Sequence, residues 1–298
     1  MKDANFYATG SIDRASERRK ETVWIADQYA RSEARLVPIW RSKNLVRADS
    51  GLAPIFPAVH EVVGQDRTET VFLGMVDGLP YFAQDFSNFD DPPLGEWGAF
   101  EDLRAIGPVL GRQEGALLAY ARGMATWHRR HRFCGICGHP TKVEDAGHLR
   151  ICENGDCHSN SFPRTDPAVI MLVHDGGDQA ILGRQKIWPQ GMHSVLAGFV
   201  EPGESLEDAV AREVFEEVGV TVDDVTYHSS QPWPFPASIM LGFWARATDN
   251  RLNVNAFELE SARWVTRREM RASPENETFR LPRRDSIARR LVEDWLDA

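Results

Sequence analysis

The sequence predicts an α+β protein in three parts: an N-terminal α+β domain over residues 1–126, a four-cysteine ribbon with a basic lead-in over 127–162, and a C-terminal sandwich of strands around one acidic helix over 163–298. Three observations predict it. Short apolar runs broken by Gly, Pro and Asp recur through the first hundred or so residues. All four cysteines fall between positions 134 and 157. Residues 198–220, GFVEPGESLEDAVAREVFEEVGV, combine a helical period with carboxylates on the apolar side. With 298 residues, 42% of them hydrophobic, the chain has room for more than one packed core.

Composition narrows the function classes. The formal net charge of -10 argues against a protein that coats nucleic acid through phosphate contacts alone. The opening stretch, MKDANFYATGSIDRASERRK, lacks the apolar core of a signal peptide, and no run of about 18 apolar residues occurs. We therefore expect a cytoplasmic protein with no membrane partner. In a reducing compartment the clustered cysteines are metal ligands rather than disulfides.

In the N-terminal domain, residues 36–40, 70–74 and 79–82 read as short strands, and residues 84–97 as a loop. No motif there translates into chemistry, so support or dimerisation is the expected role. Residues 114–130 have helical spacing, with Leu117, Leu118, Tyr120, Ala121 and Met124 on the apolar side. The helix leads into His128, Arg129, Arg130, His131 and Arg132. Such a run is ordinarily a solvated face; it also supplies cations for a phosphate or a short stretch of RNA.

Cys134 and Cys137, then Cys152 and Cys157, are two pairs joined by a loop, the pattern of a zinc ribbon in which each pair offers two thiolates to one tetrahedral ion. The second pair is the wider, and His139 or His158 stays open as a replacement for one sulfur. Four filled positions close the metal to substrate, so the zinc is structural and catalysis belongs elsewhere.

Residues 168–173 form an apolar run suited to a buried strand, 179–183 read as its hairpin partner, and 194–199 as the strand delivering the acidic helix. Pro202-Gly203 marks a turn, Ser205 with Asp208 resembles a capping box and Gly219 a stop, so the helix should cover residues 206–218. Steps of about 100° put Leu206, Val210 and Val214 on one stripe that also contains Glu213 and Glu217. A solvated acidic face is the ordinary reading of paired glutamates. Here they lie beside the core stripe, where two anions repel unless a cation sits between them. Oxygen-only ligands suit Mg²⁺ or Mn²⁺, ions that bind phosphate oxygens directly. Past a strand at 225–229, Ser230-Gln231-Pro232-Trp233-Pro234-Phe235-Pro236-Ala237-Ser238 reads as a stiff loop. Its rings and its Gln amide could stack on and hydrogen-bond to a planar base; a proline-rich core cap is the plainer alternative.

Gly198, Glu204, Arg212, Glu213, Val214, Glu216, Glu217, Gly219 and Val220 fill every fixed position of the Nudix box, Gly-x5-Glu-x7-Arg-Glu-apolar-x-Glu-Glu-x-Gly-apolar. With the ribbon upstream and the Gln231 to Ser238 segment downstream, the chain resembles the NADH pyrophosphatase (NudC) subfamily. The Trp127-His128-x-x-His131-x-Phe133-Cys134 lead-in is similar as well. The resemblance implies an α/β/α Nudix fold with a mixed sheet, and a homodimer. It implies hydrolysis of NAD(H) to nicotinamide mononucleotide and AMP, with removal of NAD caps from RNA. By position it makes Glu213, Glu216 and Glu217 metal-binding glutamates and Ala197 a main-chain carbonyl ligand. Gln231, Pro232, Trp233, Pro234, Phe235, Pro236, Ala237 and Ser238 become the dinucleotide loop. Glu258 matches a later acidic ligand, with Glu260 the second choice, and Ala288 a substrate contact. Phe162 stands where the family has Tyr, keeping a ring and losing a hydroxyl. Glu216 or Glu217 would accept the proton of the attacking water, Arg212 would orient a neighbouring glutamate, and Glu204 would reach back to the cluster. NAD-capped RNA as main substrate, and a zinc-ribbon nucleic-acid-binding or scaffold protein with an inactive Nudix fold, are the competing expectations.

Overall fold

The computed structural model describes residues 4–8, 12–47, 51–62 and 70–298. Residues 1–3 and 9–11 of the stretch searched for a leader lie outside these. The chain divides into two compact units, Met1–Thr165 with Trp233–Ala237, and Asp166–Pro232 with Ser238–Ala298.

In the first unit α1 (Thr22–Ala30) precedes the strands β1 (Arg35–Trp40), β2 (Lys43–Arg47), β3 (Ala53–Pro54), β4 (Val71–Val76), β5 (Leu79–Asp85) and β6 (Ala99–Asp102). They form one sheet in the order β3-β2-β1-β5-β4, with β6 on β2. Strands β1 and β5 run parallel, while β4 with β5 and β1 with β2 are antiparallel. Alternation along the strands sends residues to two faces. Leu36, Phe72 and Phe82 pack with Trp24, Ile25 and Tyr29 of α1. Val37, Ile39, Val71 and Leu73 pack with Leu117, Leu118, Ala121 and Met124. Those residues belong to α3 (Arg112–Arg130), which follows the short α2 (Leu103–Ile106) and starts where Glu114 accepts the Gly111 N–H at 3.0 Å. Gln84 and Asp85, expected in the loop, extend β5. The small strands β7 (Thr141–Glu144), β8 (Leu149–Cys152) and β9 (Asn160–Ser161) make the ribbon sheet.

The second unit contains β10 (Asp166–His174), β11 (Gln179–Arg184), β12 (Leu196–Phe199), α4 (Leu206–Val218), β13 (Val222–Trp233), β14 (Ser238–Ala247), β15 (Ser261–Thr266), α5 (Arg267–Arg271) and α6 (Ile287–Asp297). The sheet order is β13-β14-β10-β11-β15, with β12 on β10. Strand β10 runs parallel to β14 and antiparallel to β11 and β12, so the sheet is mixed. Val169, Met171 and Val173 face Val210, Val214 and Val218 of α4; Ile170 and Leu172 face Leu291, Val292 and Trp295 of α6. Burial on both faces is why residues 168–173 read as an unbroken apolar run. This is the expected α/β/α sandwich. One element departs from expectation: β13 continues through Ser230, Gln231, Pro232 and Trp233, leaving only residues 234–237 as connection. As the last strand of its sheet β13 has an open edge, where a proline's missing N–H costs no ladder bond. Among the described residues no helix is long and apolar enough to cross a membrane.

Candidate active site

Helix α4 has the bounds that its period and caps predict. Ser205 Oγ accepts the Asp208 N–H at 3.1 Å, and Gly219 closes the helix at φ 71°, a conformation that favours glycine. Antiparallel pairing of Val169 with Gly198 and of Ile170 with Ala197 lays β12 beside the helix. The approach is close: a Cβ on Gly198 would stand 1.8 Å from the Glu213 carboxyl carbon, so only glycine leaves room for that carboxylate.

Arg212 organises the acids around it. Its guanidinium grips both Glu204 oxygens, at 2.5 and 2.9 Å, and reaches Glu213 and Glu216 at 2.9 Å each and the Phe199 carbonyl at 2.9 Å. The fork on Glu204, helped by the Glu201 N–H, holds that carboxyl down to about 2. Burial raises Glu213 above the usual carboxylate range. Glu217 is only 4% exposed, and burial, then the charges of Glu213 and Glu258, push it up to about 8, against a hydrogen bond from the Ala197 main chain. Its Oε2 is buried without a hydrogen-bond partner. Surplus negative charge and an orphaned oxygen make a place that fits a cation.

Glu216 and Glu258 are exposed. The Glu258 charge is felt by both Glu213 and Glu217, whereas Glu260 is paired with Arg184 at 2.8 Å. Sequence reasoning missed what carries Glu258 there. The Asn253 and Asn255 N–H groups donate to the Val218 and Glu217 carbonyls at 2.8 and 2.9 Å, and Asn255 Nδ2 donates to Glu258 at 3.0 Å. These bonds satisfy the end of α4 through a segment more than thirty residues on, with no local sequence signal.

The segment expected to form the dinucleotide loop is anchored through several of its side chains. Gln231 is fully buried, and its amide donates to the Asp285 carbonyl at 2.8 Å and accepts the Ile287 N–H at 2.7 Å, so it fixes the start of α6 instead of presenting a free edge. Trp233 and Phe235 pack against the core of the first unit. Within the first unit both rings meet Tyr7 edge-on, and Arg104 and Arg122 lie 4.7 and 4.9 Å from the Phe235 centroid. Pro232, Pro236 and Ala237 are at least partly exposed; Pro234, Ser238 and Ala288 are buried, Ala288 in the α6 core cluster. Phe162 is exposed.

The four cysteine sulfurs lie within 4.8 Å of one another, the only such convergence of potential ligands among the described residues. His139 and His158 are exposed and outside it. Four sulfurs around one point fit a closed, structural zinc. The acids of α4 converge less tightly, as suits an ion that keeps waters and takes substrate oxygens.

Three family profiles match the chain: the NUDIX domain over residues 164–289, the NADH pyrophosphatase-like rudimentary NUDIX domain over 33–127, and the NADH pyrophosphatase zinc ribbon domain over 129–160. The NAD-capped RNA hydrolase NudC of Mycobacterium tuberculosis is 41% identical over 250 residues, 80% of this chain and 79% of that one. The NAD-capped RNA hydrolase NUDT12 of Homo sapiens is 43% identical over 197 residues, 63% of this chain and 43% of that one, so the chain spans less than half of that relative's length. A NUDIX hydrolase from Nitrosomonas europaea superposes with a TM-score of 0.46 at 20% identity, over 56% of this chain and 90% of that one. Box, helix and sandwich define the class of the Nudix hydrolases. Within it, the chain belongs to the NADH pyrophosphatase, or NudC, family.

Proposed function

We propose that the chain hydrolyses the pyrophosphate bond of NAD(H) to nicotinamide mononucleotide and AMP, and removes NAD caps from RNA 5′ ends. The observation that carries this reading is the partnerless buried oxygen of Glu217 among like charges. An anion so placed is stable beside a cation. Glu213 and Glu217 would hold Mg²⁺ or Mn²⁺, with Glu216, Glu258 and the Ala197 carbonyl as the remaining donors. Such an ion, when bound, neutralises phosphoryl oxygens and acidifies a water. The chain's own part is to place acids and move the proton. Glu204 immobilises Arg212, Arg212 orients Glu213 and Glu216, and Glu216 or Glu217 accepts the proton of the attacking water.

The substrate side would comprise Gln231, Pro232, Trp233, Pro234, Phe235, Pro236, Ala237 and Ser238 with Phe162 and Ala288, Gln231 acting from within by holding the start of α6. The names of the relatives support NAD-linked substrates. Cytoplasmic location, homodimerisation and a three-domain division at residues 126 and 162 complete the proposal. Incubating NADH with the zinc-loaded protein and Mg²⁺ or Mn²⁺, and separating the products, tests it. AMP and reduced nicotinamide mononucleotide are expected. No cleavage of NADH or of NAD-capped RNA by the folded protein would favour the zinc-ribbon binding protein with an inactive site. Steep loss of RNA affinity with salt would support a phosphate-tracking surface, to which the basic 128–132 run would contribute, and a flat response would confine recognition to the cap.

A further inference from the structure

The turn that carries Glu258 also carries a ring that the proposed reaction does not use. Phe257 is fully exposed, more so than any other large hydrophobic side chain among the described residues. A single exposed ring is ordinary on a protein surface. Its mounting and its neighbours set this one apart.

The backbone beneath the ring is fixed. Asn255 Oδ1 accepts the Phe257 N–H at 3.1 Å, and the Asn255 carbonyl accepts the N–H groups of Glu258 and Leu259 at 3.1 and 3.0 Å. Both ends of the turn are tied down. On one side the Asn255 N–H donates to the Glu217 carbonyl at 2.9 Å. On the other, Leu259 is buried in the cluster of Val210, Val214 and Phe243, and the Glu260 N–H donates to the Arg184 carbonyl at 2.8 Å. A ring presented from so fixed a backbone gives up little freedom when it binds.

Its neighbours are the acids of the site. Asn255 alone joins the turn to Glu217 through its main chain and to Glu258 through Nδ2, at 3.0 Å. The ring therefore belongs to the same turn as a carboxylate expected to hold the metal. The rings of the dinucleotide already have expected contacts in Phe162 and residues 231–238. A capped RNA brings a further base, and NADH does not.

We propose that Phe257 stacks on the nucleobase that follows the NAD cap of an RNA substrate, which rests on reading the chain as a hydrolase of NAD(H) and NAD caps. Every base has a π-face, so the contact tolerates any sequence. It also needs no cation, which suits a chain of net charge -10 that attracts phosphates weakly.

Steady-state cleavage by the zinc-loaded full chain with Mg²⁺ or Mn²⁺ tests the assignment on NADH, on a short single-stranded NAD-capped RNA, and on the same RNA made abasic at the nucleotide after the cap. Phe257→Ala keeps the backbone bonds of the turn. It should lower kcat/KM for the capped RNA about fivefold or more, through KM, and leave NADH unchanged. Removing the base should cost the wild type a similar factor, and Phe257→Ala should then cost nothing further. Phe257→Trp should cleave the capped RNA like the wild type. Equal losses on NADH and capped RNA would move the ring to the dinucleotide and overturn the proposal. So would a loss on the abasic RNA as large as on the intact one, or a Phe257→Ala variant that changes the oligomeric state in sedimentation, which would give the ring to a second copy of the chain. An indifferent Phe257→Ala, with both substrates cleaved, overturns this assignment alone; a wild type that cleaves neither overturns the enzymatic reading with it.

Discussion

The first unit lays a mixed sheet between α1 and α3, the second lays one between α4 and α6, and each sheet contains a parallel pair, β1 with β5 and β10 with β14. The long helices differ in what they carry inward. Arg122 and Arg129 of α3 meet counter-charges from the sheet, Asp102 at 3.4 Å and Asp85 at 2.5 Å. On α4, Glu213 shares Arg212 with Glu204 and Glu216, and Glu217 keeps a buried oxygen with no partner. One architecture therefore uses its helix charges to hold strands, and the other accumulates a surplus of one sign. Local rules of polar satisfaction are broken where a site demands it. The profile of a rudimentary NUDIX domain over residues 33–127 agrees with a sandwich kept without its acids.

The sharpest way to break this contrast is Glu217→Gln. It should lower the rate of NADH cleavage by about a hundred- to a thousandfold, with the unfolding temperature unchanged or raised, since the penalty of burying an ionisable carboxyl is removed. A variant that loses activity only by unfolding would make the surplus charge structural. Next in size is Gly198→Ala. The added methyl collides with the Glu213 carboxylate, and overpacking of this kind costs about 1–3 kcal/mol in urea unfolding, with loss of cleavage.

On the other side of the comparison, Arg122→Met removes a charged donor from the Ser42 carbonyl and from Asp102, and should destabilise the chain by about 1–2 kcal/mol. Unchanged unfolding would mean that the inward charges of α3 hold nothing.

A pH dependence carried by two histidines of the first unit adds a further check. Burial holds His128 and His148 down at about 4, against an ordinary 6.5. Between those values the unfolded chain takes up protons that these two rings refuse when folded, so their contribution to stability falls as pH drops from about 6.5 towards 4 and is level above that window. Hydrogen-exchange protection of α3 amides at pH 7 and pH 5 measures it. Equal protection at both would show that these rings are not held neutral.

Much of this was legible in the residues. Helix α4, the buried run in β10 and the converging cysteines all rest on signals within a few residues: a 3.6-residue period, a cap, a paired spacing. Glu213 and Glu217 fall on one side of the helix for the same reason. The full burial of Gln231, the engagement of Phe235 by Arg104 and Arg122, and the continuation of β13 to Trp233 were not legible. Each depends on partners far away in the chain, and no local pattern encodes them.

The sequence by itself determined helices α3 and α4, the buried run of β10, the clustering of the four sulfurs and the acid-bearing face of α4, because helix geometry and paired-cysteine spacing act over short stretches. Only the tertiary structure decided that Gly198 makes room for Glu213 and that Asn253 and Asn255 bring Glu258 towards Glu217. Those are meetings between residues distant in the chain, and packing of whole elements sets them.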